Sequence, residues 1–394
     1  MSFTSGSVTA TRYRLSGNKP FMFDERHLDR LKDHARPKIA NASGVEVGWS
    51  AGEHYADLDF TLEKNVYPDH LLWDLWVQTD PLPADRLKAY YATELKALSA
   101  NNPSGFPSAK QKREARETAR EQLEQESRDG RYRKWNQIPC CWDLVRNELL
   151  VGTTSSAMLD RFEAMFSKTF GNDITQPDAL AGACTLTHAG WLANQIGGRT
   201  TPVSASLSEF VKDITPDDGP CWAVSEGDLR FLGNEFAVWL WWNSDSNDTL
   251  RVSDGSSVVV MFSGGMKLDC PRGQSGNDTL NHDGPTRMLE AKAALVTGKL
   301  PRKIGLTFVT KDEQYATHLQ VENWQITSAK LPRTPADLKS KRDAVIHRLQ
   351  ACRDLFETLD QLYLAFLSDR LSAAWPEDLR SRGQLRRSML ARCR

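Results

Sequence analysis

The chain has 394 residues, 40% of them hydrophobic and 26% charged. That is the make-up of a globular protein long enough to fold without a disulfide or metal staple. Fifty basic residues against 51 acidic leave a net charge of −1, which excludes a protein coated all over in positive charge, and no run of about 18 apolar residues is present to span a bilayer.

Roughly 150 residues per domain points to two or three domains. The opening MSFTSGSVTATRYRL lacks the apolar core of a signal peptide, and seven scattered cysteines suit a reducing cytosol better than a disulfide framework. Val8–Leu15 alternates and is expected to be a strand. Phe23–Ala35 reads as a helix capped by Asp24, with Leu28 and Leu31 inward. Val45–Ser50 and Leu71–Thr79 are strands, the second with Leu71, Trp73, Leu75 and Val77 on one face. After Asp80-Pro81-Leu82-Pro83 a helix is expected from 84 to 99, then a break at Asn101–Gly105 and a second helix over 108–127. The second helix carries only Ala109, Ala115, Ala119 and Leu123 as apolar residues, so residues 84–130 are expected to project from the body.

Ile138–Leu144 and Asn147–Thr153 suggest a hairpin, followed by an amphipathic helix over 155–170. Residues 171–220 are polar and irregular. Phe231–Trp242 reads as a buried helix, too short for a bilayer. Ser257–Phe262, Gly265–Leu268, Lys303–Val309 and Thr317–Leu331 supply further strands, with Asp254-Gly255-Ser256 and Ser263-Gly264-Gly265 as hairpin turns between them. Asp343–Leu371 is a long amphipathic helix, and 380–394 is a basic tail.

Several constellations bear on chemistry. Lys112, Arg113, Arg116 and Arg120 follow three- and four-residue steps and make one basic stripe, with Glu114, Glu117, Glu121 and Glu124 mostly on the neighbouring face. Two readings stand: a surface for nucleic-acid phosphates, or a solvated helix laced by pairs such as Lys110–Glu114 and Arg113–Glu117. The tail, with Arg380, Arg382, Arg386, Arg387, Arg392 and Arg394, is either a phosphate-following arm or a solubilising terminus. Cys140 and Cys141 are adjacent on a strand, so they point to opposite faces and suit structure rather than chelation.

Glu53, Asp57 and Asp59 of EHYADLD admit a metal-nuclease reading, though Leu62-Glu63-Lys64 is a poor match for the lysine that such sites add. There is no P-loop, no GxSxG elbow and no paired-histidine zinc spacing. Of the twelve tryptophans, Trp239, Trp241 and Trp242 read as core. Trp135, after Arg133-Lys134, suits a base stack or a subunit contact as well as packing.

The order of segments is the broadest signal. TRYRLSG leads to VGWS, then DLWVQTDPLPADRLKAYYATELKAL and FPSAKQKREARETAREQLEQ. CCWDLVRNELLVGTTS, FLGNEFAVWLWW, ALVTGKLPRKIGLTF and LFETLDQLYLAFLSDRL follow. Over residues 8–370 this succession resembles the bacterial RdgC family of recombination-associated proteins. The resemblance implies an α+β fold, with horseshoe-shaped multi-domain subunits built on antiparallel sheets and carrying a projecting helical pair. Two subunits would close into a ring around duplex DNA, binding it without regard to sequence and limiting access by a RecA-type recombinase.

It also implies a cytoplasmic, nucleoid-associated protein with no catalytic centre, no metal and no cofactor. Matched residue by residue, the DNA-facing cations would be Lys110, Lys112, Arg113, Arg116, Arg120, Arg131, Arg133 and Lys134. Tyr132 and Trp135 would make the contact between projections. The stretch SRDGRYRKWNQIP departs from the family pattern, as do the segments at 171–220 and 243–256 and the tail. The expected division is 1–83 and 135–379 as body, 84–134 as tip and 380–394 as tail. The alternatives are a metal-dependent DNA-processing nuclease and a protein–protein adaptor of a mobile element or phage.

Overall fold

The computed structural model describes residues 3–15, 20–36, 45–100, 105–171, 231–246, 249–252, 255–270, 276–296, 299–338 and 340–370. Over these the fold is mixed α/β, with eight α-helices and a large open antiparallel sheet. The strands in chain order are β1 Val8–Arg14, β2 Glu46–Ser50, β3 Val66–Tyr67, β4 His70–Thr79, β5 Lys134–Asp143, β6 Glu148–Val151 and β7 Leu250–Arg251. They continue with β8 Ser257–Asp269, β9 Asp278–Leu280, β10 Leu300–Thr310, β11 Glu313–Gln320 and β12 Gln325–Lys330. The helices are α1 Glu25–Asp33, α2 Leu62–Asn65, α3 Ala84–Ala100, α4 Ala109–Ser127, α5 Ser156–Phe170, α6 Phe231–Ser246, α7 Leu289–Val296 and α8 Lys341–Arg370.

The chain divides into two compact units. The first comprises Met1–Met22, Tyr67–Leu71 and Pro139–Arg394, and the second Phe23–Val66 and Leu72–Ile138. In the first unit β6 pairs with β1, and the ladder continues through β12, β11, β10, β8 and β7. Strand alternation sends Ile304, Leu306 and Phe308 to one face, where all three are buried. The apolar segment expected at 231–242 is α6: its Trp241 meets Phe262, and its Phe236 joins Trp324, Tyr363 and Phe366 in an aromatic cluster with centroids 4.6–5.8 Å apart. The long helix α8 places Leu349, Leu355, Leu359, Leu362 and Phe366 inward as its spacing requires. Phe162, Phe166 and Phe170 of α5 recur every fourth residue; the latter two pack on Trp142 of β5, and Phe162 meets Tyr13 of β1.

Three expectations need correction. Ser257–Phe262 and Gly265–Leu268 are one strand, not two strands around a turn. Gly264 and Gly265, at φ 72° and 101°, form a bulge where the register with β10 shifts. A side chain at Gly305 opposite would come within 1.9 Å of the Ser263 carbonyl oxygen, so the bulge needs glycine on both strands. Thr317–Leu331 splits into β11 and β12 at Val321–Trp324, a turn with neither glycine nor proline. Its positive-φ residue, Trp324, is held there by the aromatic cluster. Strand β5 begins at Lys134 rather than Ile138, which moves Lys134 and Trp135 from a loop onto a strand.

In the second unit β2 pairs with β4 from Glu46↔Gln78 to Ser50↔Asp74, and Trp49 meets Trp73 edge to face at 6.0 Å. Helix α1 begins with a capping box in which Asp24 accepts from the first turn and His27 reaches back to the Asp24 amide. Helices α3 and α4 form a hairpin and pack chiefly on each other. The narrow apolar stripe of α4 suffices for this: Ala115, Ala119 and Leu123 are fully buried, whereas α3 buries no residue completely. Small alanines let the two backbones approach, and the other faces of both helices remain polar.

Candidate nucleic-acid interface

The hairpin holds twelve basic and eight acidic residues between 84 and 134, a surplus of four positive charges in a chain whose total is −1. Its base is tied internally. Glu126 accepts hydrogen bonds from the Tyr90 and Tyr132 hydroxyls, with Arg86 beside the carboxylate and 5.5 Å from the centre of the Tyr132 ring. Tyr132, expected at a subunit contact, is therefore half-buried and engaged within its own hairpin.

The eight cations expected to meet DNA separate into two groups. Arg113 pairs with Glu117 at 3.5 Å, Arg120 with Glu124 at 2.7 Å and Arg131 with Asp129 at 2.6 Å. Arg133 folds over Gly130 and is half-buried. Lys110, Lys112, Arg116 and Lys134 are exposed, and among the described residues none of them has a carboxylate within 4.0 Å. The lacing by i,i+4 pairs thus covers only part of the stripe. The Lys110–Glu114 pair is not formed. The arginines of the tail lie outside the described residues.

A second basic surface, absent from the sequence-based expectations, lies in the first unit. On the sheet face opposite Ile304, Leu306 and Phe308, Lys267 of β8 stands directly across from Lys303 of β10. The row continues through Gln320 of β11 to Gln325 of β12. Neighbouring rows run Gly305, His318, Thr327 and Met261, Thr307, Ala316, Lys330. Across these rows no side chain is acidic. Lys267 and Lys330 are exposed, as are Val259, Met261 and Gln314, and among the described residues neither Lys267, Lys303 nor Lys330 is in an ion pair.

Opposed strand residues place their Cβ atoms about 5 Å apart, where like charges repel. The rows mix small side chains (Gly305, Thr307, Ala316, Thr327) with longer uncharged ones, so the lysines carry the only formal charge on them apart from His318. The lysines are 36 residues apart in sequence, so only the strand register reveals them.

The nuclease reading does not gain from the geometry. Asp57 is buried, and its oxygens accept from Lys64 Nζ at 2.8 and 3.0 Å and from the backbone amides of Glu53 and Asp59. Burial alone would raise this carboxyl, but Lys64 and the two amides hold it below its usual range. Its acceptor positions are used in pinning the 51–60 loop. Among the described residues no three histidine, cysteine, aspartate or glutamate side chains converge as metal ligands. Cys140 and Cys141 are buried and unbridged.

In the first unit most buried charges are consumed by one another. The Arg12 guanidinium of β1 donates to both Asp360 oxygens of α8 at 2.7 Å and to Glu148 of β6 at 3.0 Å, and Arg146 joins the same two carboxylates. Arg353 of α8 donates to both oxygens of Asp143 at 2.7 and 3.0 Å. The charges of these arginines are matched by carboxylates of the same unit, which is the role of structural residues.

No protein-family model matches the chain, and no curated protein matches it. Among the described residues no helix is long and apolar enough to cross a membrane.

Proposed function

We propose that this protein binds DNA without sequence preference, through the Lys267–Lys303 face of the sheet and the unpaired cations of the α3–α4 hairpin. The observation that carries this reading is the pair of opposed lysines in strand rows that carry no acidic residue. That arrangement costs the free protein some repulsion, and phosphate relieves it. Of the polar side chains in these rows, Thr307 bonds Ser263, His318 bonds the Gly264 carbonyl and Gln325 bonds Thr11, which leaves few groups to read base edges and suits contact to the backbone. In its finer form the proposal follows the RdgC-like order of segments: horseshoe-shaped, multi-domain subunits closing in pairs into a ring around duplex DNA, and so restraining a RecA-type recombinase through the shared DNA.

The test is duplex affinity against salt, measured by fluorescence anisotropy. Log K is expected to fall linearly with log salt, by about 0.9 per phosphate contacted. Joint replacement Lys267→Glu and Lys303→Glu should lower that slope by about 2 and weaken all sequences alike. These are surface changes, so the melting temperature should hardly move. Absence of duplex binding at low salt would overturn the proposal. A gel-filtration mass of one subunit, or equal retention on linear and closed circular DNA after a salt wash, would remove the ring.

A further inference from the structure

Tyr55 and Trp135 stack with ring centroids 5.1 Å apart and planes 11° from parallel. Each is 50% exposed even though each ring covers part of the other. Large aromatic side chains stabilise a fold by leaving water, and this pair leaves it only halfway.

The stack is held still. The Trp135 indole N–H donates to Gln78 Oε1 at 2.9 Å, and Gln78 is itself buried on β4. Tyr55 sits in the 51–60 loop, whose ends Ala51 and Phe60 are buried and whose centre is pinned by the Asp57–Lys64 pair. The neighbours of Trp135 on β5, Lys134 and Asn136, are also exposed and alternate to the other face of the strand, so they do not cover the ring. A rigid, half-open aromatic pair presents an apolar plane to solvent. A nucleobase has the complementary face.

We propose that the Tyr55–Trp135 stack is a platform for an unpaired nucleobase of DNA. This rests on the DNA-binding reading above and extends it from duplex to single-stranded or gapped DNA. A base inside a duplex has both faces covered by its neighbours, so only an unstacked base can use the platform. The indole N–H is engaged by Gln78, so the Trp135 ring offers its face for stacking, which every base can use.

The test uses the full chain with two probes: an oligo-dT carrying one 2-aminopurine, and a blunt mixed-sequence duplex. The protein should quench the 2-aminopurine fluorescence of the single strand. Trp135→Leu and Tyr55→Leu should each abolish the quench and weaken single-strand binding about ten-fold, leaving duplex affinity unchanged. Trp135→Phe should restore part of both effects, which a merely structural role would not require. If the variants weaken both probes equally, or neither, the platform is refuted. If the wild-type chain binds duplex without quenching the single strand, the platform falls and the DNA-binding reading stands. Binding to neither probe removes both.

Discussion

Asp143 in the first unit and Asp74 in the second are strand carboxylates withdrawn from bulk water, and they titrate in opposite directions. Burial would raise Asp143, but His70 and the two hydrogen bonds from Arg353 outweigh it and hold the carboxyl far below its ordinary range. Burial pushes Asp74 up to about 7, against the hydrogen bond from the Gln137 side chain. The first unit neutralises its interior charges in pairs, as it also does with Arg12, Arg146, Glu148 and Asp360. Among the described residues the second leaves the Asp74 carboxyl without an ion pair and several cations without a carboxyl. The type of residue decides little; the presence of a partner decides whether a charge serves the fold or remains open to a ligand.

The strongest way to break this contrast is to remove a partner inside the first unit. Arg12→Leu leaves Glu148 and Asp360 short of a cation and should cost about 3–5 kcal/mol of stability in denaturant titrations. Loss of less than 1 kcal/mol would mean that the cluster is not what joins β1 to α8.

The two aspartates sharpen it next. In Asp74 the folded state keeps its proton while the unfolded chain loses it, so stability falls as pH rises from about 4 to about 7. Asp74→Asn should remove that decline and raise stability by about 2 kcal/mol at pH 8, with no gain near pH 4. Asp143 has the reverse sign: its contribution is present above the unfolded carboxyl range and is lost as pH falls through the depressed folded value. Asp143→Asn should therefore destabilise at neutral pH, and unfolding curves at the two pH values check both variants.

The smallest effect separates cations within the hairpin. Arg116→Ala should weaken DNA binding more than Arg113→Ala, by roughly two-fold, because Arg113 must first leave Glu117. Equal losses would show that the surface pair imposes no competition.

Much of the scaffold was legible residue by residue. Asp24 caps the helix it precedes, and Leu71, Trp73, Leu75 and Val77 fall on one buried face of β4. The hairpin of α3 and α4 follows from two helical spacings around Asn101–Gly105. Its cations were legible as a stripe, but not which of them are paired, since an i,i+4 spacing permits a bridge without requiring it. The turn at Val321–Trp324 was missed because packing, not turn chemistry, makes it.

Alternation, capping and helical period are local, so the sequence by itself determined the elements and which side of each is apolar. Tertiary structure alone decided what stands opposite what. Arg12 meets Asp360 across 348 residues of chain, Lys267 faces Lys303 through a bulged register, and Tyr55 reaches Trp135 by way of a pinned loop. Each of these depends on strand register and long-range closure, which no spacing along one segment encodes.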